Sequence, residues 1–118
     1  MYKKRLDLSG VKGGFLVIDR NVFVLGSKSV TIGRHLENDC VINEPHISRQ
    51  HAKIEYENGK YVLYDLGSSS GTFINNKKIV CQELINGDII LLGDYPMMFL
   101  FDDIGVLQEH NTDTKTLS

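Results

Sequence analysis

Short apolar runs, each closed by turn-forming residues within a few positions, recur along this chain from Phe15 to Phe101. They are Phe15–Asp19, Val22–Leu25, Val30–Ile32, Cys40–Ile42, His51–Tyr56, Tyr61–Leu66, Phe73–Ile74, Lys78–Val80, Ile89–Leu92 and Met97–Phe101. Such runs are rich in β-branched and aromatic residues, and their spacing predicts an all-β sandwich of antiparallel strands. No stretch of a dozen residues carries a capped 3.6-residue period. In His51–Tyr56 the alternation is plain. Ala52, Ile54 and Tyr56 are predicted to face the core, and Lys53 and Glu55 the solvent. Asn58-Gly59 and Asn86-Gly87 tolerate positive φ and predict tight corners. Pro45 falls in a loop, and Pro96 at the edge of a strand, where a missing N–H is tolerated.

At 118 residues the chain is one domain's worth and long enough to bury a core. The net charge of −2 offers no basic field for nucleic acid. Cys40 and Cys81 are far apart and lack metal-ligand spacing. Cys40 reads as a small buried hydrophobe, though a disulfide to Cys81 stays open. The basic start, Met1-Tyr2-Lys3-Lys4-Arg5, is not followed by an apolar stretch, and no window reaches membrane-spanning length. A cytoplasmic, monomeric protein with no membrane or nucleic-acid partner is expected. Residues 1–13 read as an extension and residues 103–118 as a polar tail, bracketing a domain at 14–102.

Three pieces carry the chemistry: Gly33-Arg34, Ser48-Arg49-Gln50-His51, and Ser68-Ser69-Ser70-Gly71-Thr72-Phe73-Ile74-Asn75. Each lies where a strand meets a loop. Together they offer a fixed cation, hydroxyls and an amide, with no nucleophile–base pair. An arginine fork stays charged and pairs with two phosphate oxygens at once. A phosphate ester presents about −1.5 to −2 charges at pH 7 and three acceptor oxygens. Three charge-assisted bonds, less the cost of association, imply micromolar binding, or about −8 kcal/mol.

Rival chemistries lack their signatures. Ser48, His51 and Asp65 could suggest a hydrolytic triad, but no nucleophile elbow surrounds Ser48. Histidines 35, 46 and 51 lack zinc-ligand spacing. Gly26-Ser27-Lys28-Ser29 lacks the upstream glycine and following helix of a phosphate loop. No enzyme activity, cofactor or metal is expected. Taken singly, Arg34 could be a solvated strand end, Ser48 a turn cap, Ser68–Ser70 loop filler, and Asn75 a turn residue.

The ordered set resembles the forkhead-associated (FHA) domain, a reader of phosphothreonine peptides. Also part of the resemblance are Asp39-Cys40-Val41-Ile42, Tyr61–Leu66, Leu84 and Asn86–Gly93. It implies a two-sheet, FHA/SMAD-like sandwich of about ten to eleven strands. It implies phosphate contacts from Arg34, Ser48 and Ser69, and peptide contacts from Arg49, Ser70 and Asn75. Gly33, His51, Gly71 and Thr72 take structural roles. Ser70 stands where the family commonly has asparagine, and Asn76 where glycine often follows. The loop Asn43–Ile47, with His46 foremost, is implied to read the third residue after the phosphothreonine. The implied function is a signalling adaptor for a phosphothreonine protein, such as a Ser/Thr kinase or its substrate. The alternatives are a phosphate-independent interaction module, or a switch in which a phosphorylated tail (Thr112, Thr114, Thr116) fills the site.

Overall fold

The computed structural model describes residues 13–101. The expected extension and tail lie almost wholly outside this range. Eleven strands form two sheets. They are β1 (Gly14–Ile18), β2 (Asn21–Val24), β3 (Val30–Gly33), β4 (Cys40–Val41), β5 (Ala52–Glu57) and β6 (Lys60–Asp65), followed by β7 (Thr72–Ile74), β8 (Lys77–Ile79), β9 (Cys81–Glu83), β10 (Ile89–Leu92) and β11 (Tyr95–Phe101). One sheet runs β2-β1-β11-β10-β7-β8, and the other β4-β3-β5-β6-β9. The described residues contain no helix long and apolar enough to cross a membrane.

Alternating residues from both sheets fill the space between them. Leu16, Phe99, Ile90 and Leu92 from one meet Ile32, Ala52, Ile54 and Leu63 from the other, all essentially buried. Tyr61 closes one end of this core. Its hydroxyl donates to the Gly26 carbonyl and accepts from the Gly14 amide at 3.0 Å.

The expected strands all form, and four details differ from the sequence reading. Residues 77–83 make two strands instead of one. The chain crosses from the first sheet to the second at Val80, so β8 and β9 belong to different sheets. β4 pairs with β3 in parallel, because the 34–39 loop returns the chain to the same end before β4 begins. Tyr56 shares the core-facing side of Ala52 and Ile54, yet is 39% exposed. It stands at the open end of the sandwich, with its ring against Tyr61 (centroids 4.9 Å apart). Pro96 lies within β11 opposite Leu91, beyond the last residue of β11 that pairs with β1, so no β1 carbonyl faces it.

The Asn58-Gly59 hairpin forms as predicted, with φ of 53° and 81°. Asn75-Asn76 makes an equivalent turn at 51° and 70° between β7 and β8. Asn86-Gly87 instead shapes the crossing into β10, where the Asp88 carboxylate accepts from the Ile85 amide at 2.8 Å. Cys40 is buried and Cys81 exposed, and both are free thiols. Burial and the neighbouring Asp39 push the Cys40 thiol up to about 11, which makes it unreactive.

Candidate functional site

The loops after β3 and β6, and those leading into β5 and β7, gather at one end of the sandwich. Gly33 sets how closely the loop after β3 approaches the loop leading into β5. A Cβ there would lie 2.2 Å from the Arg49 carbonyl oxygen, so only glycine fits. The contact lets Arg34 N donate to the Ser48 carbonyl at 3.0 Å and His35 N to the Arg49 carbonyl at 3.2 Å. Asn38 adds a third tie, its side-chain amide donating to the same Arg49 carbonyl at 2.7 Å.

Arg34 is solvent-exposed but its direction is fixed. Its Nε donates to the Ile47 carbonyl at 2.9 Å. That bond uses one of five guanidinium donors and leaves the outer nitrogens available. Among the described residues, no carboxylate comes within ion-pair distance of it. Ser48, whose carbonyl accepts from the Arg34 amide, meets Ser69 of a different loop. The Ser69 amide donates to Ser48 Oγ at 3.1 Å, and the two hydroxyl oxygens are 3.4 Å apart. Arg49 is exposed and projects from the same segment.

His51 is completely buried and binds the loops together. Its Nδ1 accepts from the Ser48 amide at 3.1 Å. Nε2 faces the Gly71 carbonyl at 2.9 Å. An amide can only donate and a carbonyl only accept, so the ring is the Nε2–H tautomer. Its wiring is therefore unlike a catalytic relay, since neither ring nitrogen meets the Ser48 hydroxyl or Asp65.

Asp65 organises the serine loop. It accepts from the Gly67 amide at 3.0 Å, the Ser68 amide at 3.2 Å, the Ser68 hydroxyl, and Thr72 Oγ1 at 2.7 Å. Ser68 Oγ then accepts from the Gly71 amide at 3.0 Å. Burial pushes the Asp65 carboxyl up, but these hydrogen bonds outweigh it and hold it below the usual carboxylate value. Thr72 is fully buried, and Gly71 has φ of 90°, a conformation open to glycine.

Two residues expected to contact peptide also make hydrogen bonds within the domain. Asn75 donates to Asp88 Oδ1 at 2.9 Å and accepts from the Ile89 amide at 3.0 Å, so its amide serves a turn. Ser70 donates to the His46 carbonyl at 2.7 Å, joining the 43–47 loop to the serine loop. His46 itself is exposed, with Nδ1 3.8 Å from Asp94 Oδ2. Asp65, Asn38 and Asp94 were not singled out as site residues from sequence. Asp65 alone left a trace there: a carboxylate three residues before a serine, the spacing of a side-chain-closed turn.

The FHA domain family model matches residues 30–93, which hold Gly33-Arg34, Ser48, His51 and the serine loop. This chain belongs to the FHA-domain family. The FHA domain here is 31% identical over 103 residues to the glycogen accumulation regulator GarA of Mycolicibacterium smegmatis, covering 79% of this chain and 65% of that protein. It is 35% identical over 78 residues to the oxoglutarate dehydrogenase inhibitor of Corynebacterium efficiens, covering 66% of this chain and 55% of that one. The chain thus spans somewhat less than two thirds of the length of these relatives. A solved FHA domain described by its phosphothreonine-dependent interactions superimposes with a TM-score of 0.74 at 26% identity, covering 78% of this chain and 99% of that one. Mycobacterium tuberculosis EmbR in complex with a low-affinity phosphopeptide gives 0.74 at 26% identity, over 81% and 27% of the two chains.

Proposed function

We propose that this FHA domain binds phosphothreonine segments of other proteins and works as a non-enzymatic, cytoplasmic signalling adaptor. The observation that carries the reading is Arg34. Its Nε is held by the Ile47 carbonyl, while its outer nitrogens face no carboxylate of the described residues. A guanidinium so aimed, next to paired hydroxyls from two loops, suits a dianionic phosphate ester. In this reading Arg34, Ser48 and Ser69 hold the phosphate, and Arg49 lies along the peptide. Ser70 acts through the 43–47 loop, and Asn75 supports the adjoining turn. The solved relatives that bind phosphothreonine or a phosphopeptide support the same reading.

The test is fluorescence anisotropy with one labelled peptide in phosphothreonine, phosphoserine and unmodified forms, against the wild type and Arg34→Ala. Wild type should bind the first form with about micromolar affinity. Arg34→Ala should abolish binding without lowering the melting temperature. Equal binding of modified and unmodified peptide would refute the proposal.

A further inference from the structure

β2 and β4 are the terminal strands of their sheets, and both border one cleft on the same flank of the sandwich. Its volume is about 320 Å³. Ile18, Phe23 and Tyr95 line it from the six-stranded sheet, and Cys40, Val41 and Ile42 from the other side. Ile18, Phe23 and Tyr95 are also the half-buried residues that pack against the core cluster. The core therefore reaches the surface here instead of being closed by a further strand. Asp19, Asp39 and Glu44 line the cleft as well, and no lysine, arginine or histidine does. Among the described residues none of these three acids takes part in an ion pair. Asp39 is partly committed, since its Oδ2 accepts from the Thr31 amide at 2.9 Å and the Thr31 hydroxyl at 3.2 Å. Asp19 and Glu44 are exposed. Burial pushes the Tyr95 hydroxyl up, and the charges of Asp19 and Glu44 add to the rise, so two separate segments act on one phenol.

The edge of β2 supplies main-chain partners beside this cleft. The Leu25 amide donates to the Gly14 carbonyl at 2.9 Å, so Leu25 turns its backbone toward β1. Backbone groups alternate in direction along a strand. Asn21 and Phe23 thus also face β1, while Val22 and Val24 turn their N–H and C=O outward. Among the described residues no strand pairs with that edge. Phe23 pairs with the core residue Leu16, which sends its side chain inward, and leaves Val22 and Val24 on the outer face, 37% and 51% exposed.

We propose that this flank docks an extended segment of a partner protein, laid along β2, in which lysines or arginines alternate with apolar residues. A free edge selects an extended main chain. The acids select cations. A strand added to β2 sends every second side chain into the cleft beside Phe23. A basic residue there lays its methylene stem on Phe23 and Tyr95 and brings its charge to Asp19 and Glu44. The intervening apolar residues stand with Val22 and Val24. The recognition uses no phosphate and no contact with Arg34, so it is separate from the phosphothreonine site.

The experiment uses the full chain and a short fluorescent peptide alternating lysine with valine, without phosphate. Wild type and Arg34→Ala should bind it equally, and a glutamate–valine peptide should not bind. Asp19 sits at φ of 59°, which asparagine accepts, so Asp19→Asn keeps the turn. It should weaken binding about fivefold. Val22→Pro removes an outward N–H and should also weaken binding about fivefold, whereas Val22→Thr keeps the N–H and should bind as wild type. Phosphothreonine-peptide affinity should be the same in all three variants, which shows them folded and separates this site from the Arg34 site. Loss of lysine–valine binding in Arg34→Ala would place the peptide at the Arg34 site and overturn the proposal. Wild-type affinity in both Asp19→Asn and Val22→Pro would overturn it too. So would binding that appears only after Lys3, Lys4 and Arg5 are replaced by serine, which makes the chain's own basic start the occupant. A solution mass that rises with concentration, and is reversed by Val22→Pro, would make a second copy the occupant and overturn it as well.

Discussion

Replacing Gly33 by alanine should separate the affinity of this domain from its stability. The added Cβ would sit 2.2 Å from the Arg49 carbonyl oxygen and 2.8 Å from both the Arg49 carbonyl carbon and Asn38 Nδ2. A carbon–oxygen contact needs more than 3 Å, so the two loops must part by about 1 Å. Three hydrogen bonds cross that gap: Arg34 N to Ser48, His35 N to Arg49, and Asn38 to Arg49. At about 1 kcal/mol each the loss is roughly 3 kcal/mol, within the 5–15 kcal/mol that typically holds a domain folded. A fall in melting temperature of about 10–20 °C should follow. Affinity should suffer more. Parting Arg34 from Ser48 by that distance spoils two charge-assisted bonds, worth roughly 3 kcal/mol or more together, or about a hundredfold in Kd. Calorimetric titration with a phosphothreonine peptide, at a temperature where both proteins are folded, reads this directly. Gly26→Ala is the control. It has φ of 69° and open space around it, far from the site. It should lose stability alone. A Gly33→Ala protein with wild-type affinity would show that the contact does not set the clamp.

The remaining tests are briefer. His51→Ala should cost roughly 1–3 kcal/mol in chemical denaturation, because the Ser48 amide and Gly71 carbonyl lose a buried partner; unchanged denaturation would refute the structural role. The Asp65 carboxyl is lower in the folded state, so its contribution is present above the unfolded value of about 3.9 and disappears as pH falls through the folded one. Asp65→Asn should therefore be less stable near pH 7 and show a flatter decline in denaturation midpoint below about pH 4. Asp94→Asn should improve binding of peptides with an acidic third residue after the phosphothreonine by a few-fold, since an exposed charge contributes at most about 1 kcal/mol; unchanged peptide ranking would remove Asp94 and the His46 loop from selectivity.

Local rules wrote themselves into the sequence where a single residue type can satisfy them. Asn58-Gly59 reads as a hairpin because both positions require positive φ. The Ala52/Ile54 alternation reads because one face is buried. Gly33-Arg34 is visible as a pair, but the reason for the glycine is not, since it depends on a carbonyl sixteen residues away. β9 was hidden because Cys81–Glu83 is exposed throughout and has no apolar alternation, and its pairing with β6 supplies the strand. Asn75 is ambiguous in sequence for a different reason. An asparagine can offer its amide to a ligand or to its own turn, and the turn bonds to Asp88 and Ile89 are visible only in the fold. Ser70 is shorter than asparagine in sequence terms, while its bond to the His46 carbonyl is a long-range feature.

Gly14 and Phe101 face each other across one ladder, at the opposite pole from the loops that carry Arg34, Ser48 and Ser69. The seven residues of β11 put about 23 Å between that pole and the other. A fluorophore, bead or whole enzyme grafted onto either strand end is thus held a strand's length behind the clamp. Because the two strand ends emerge side by side, the domain is also suited to being spliced as a plug into a surface loop of another protein. Its mouth would then point outward, reachable by a phosphorylated segment that is itself part of a bulky assembly.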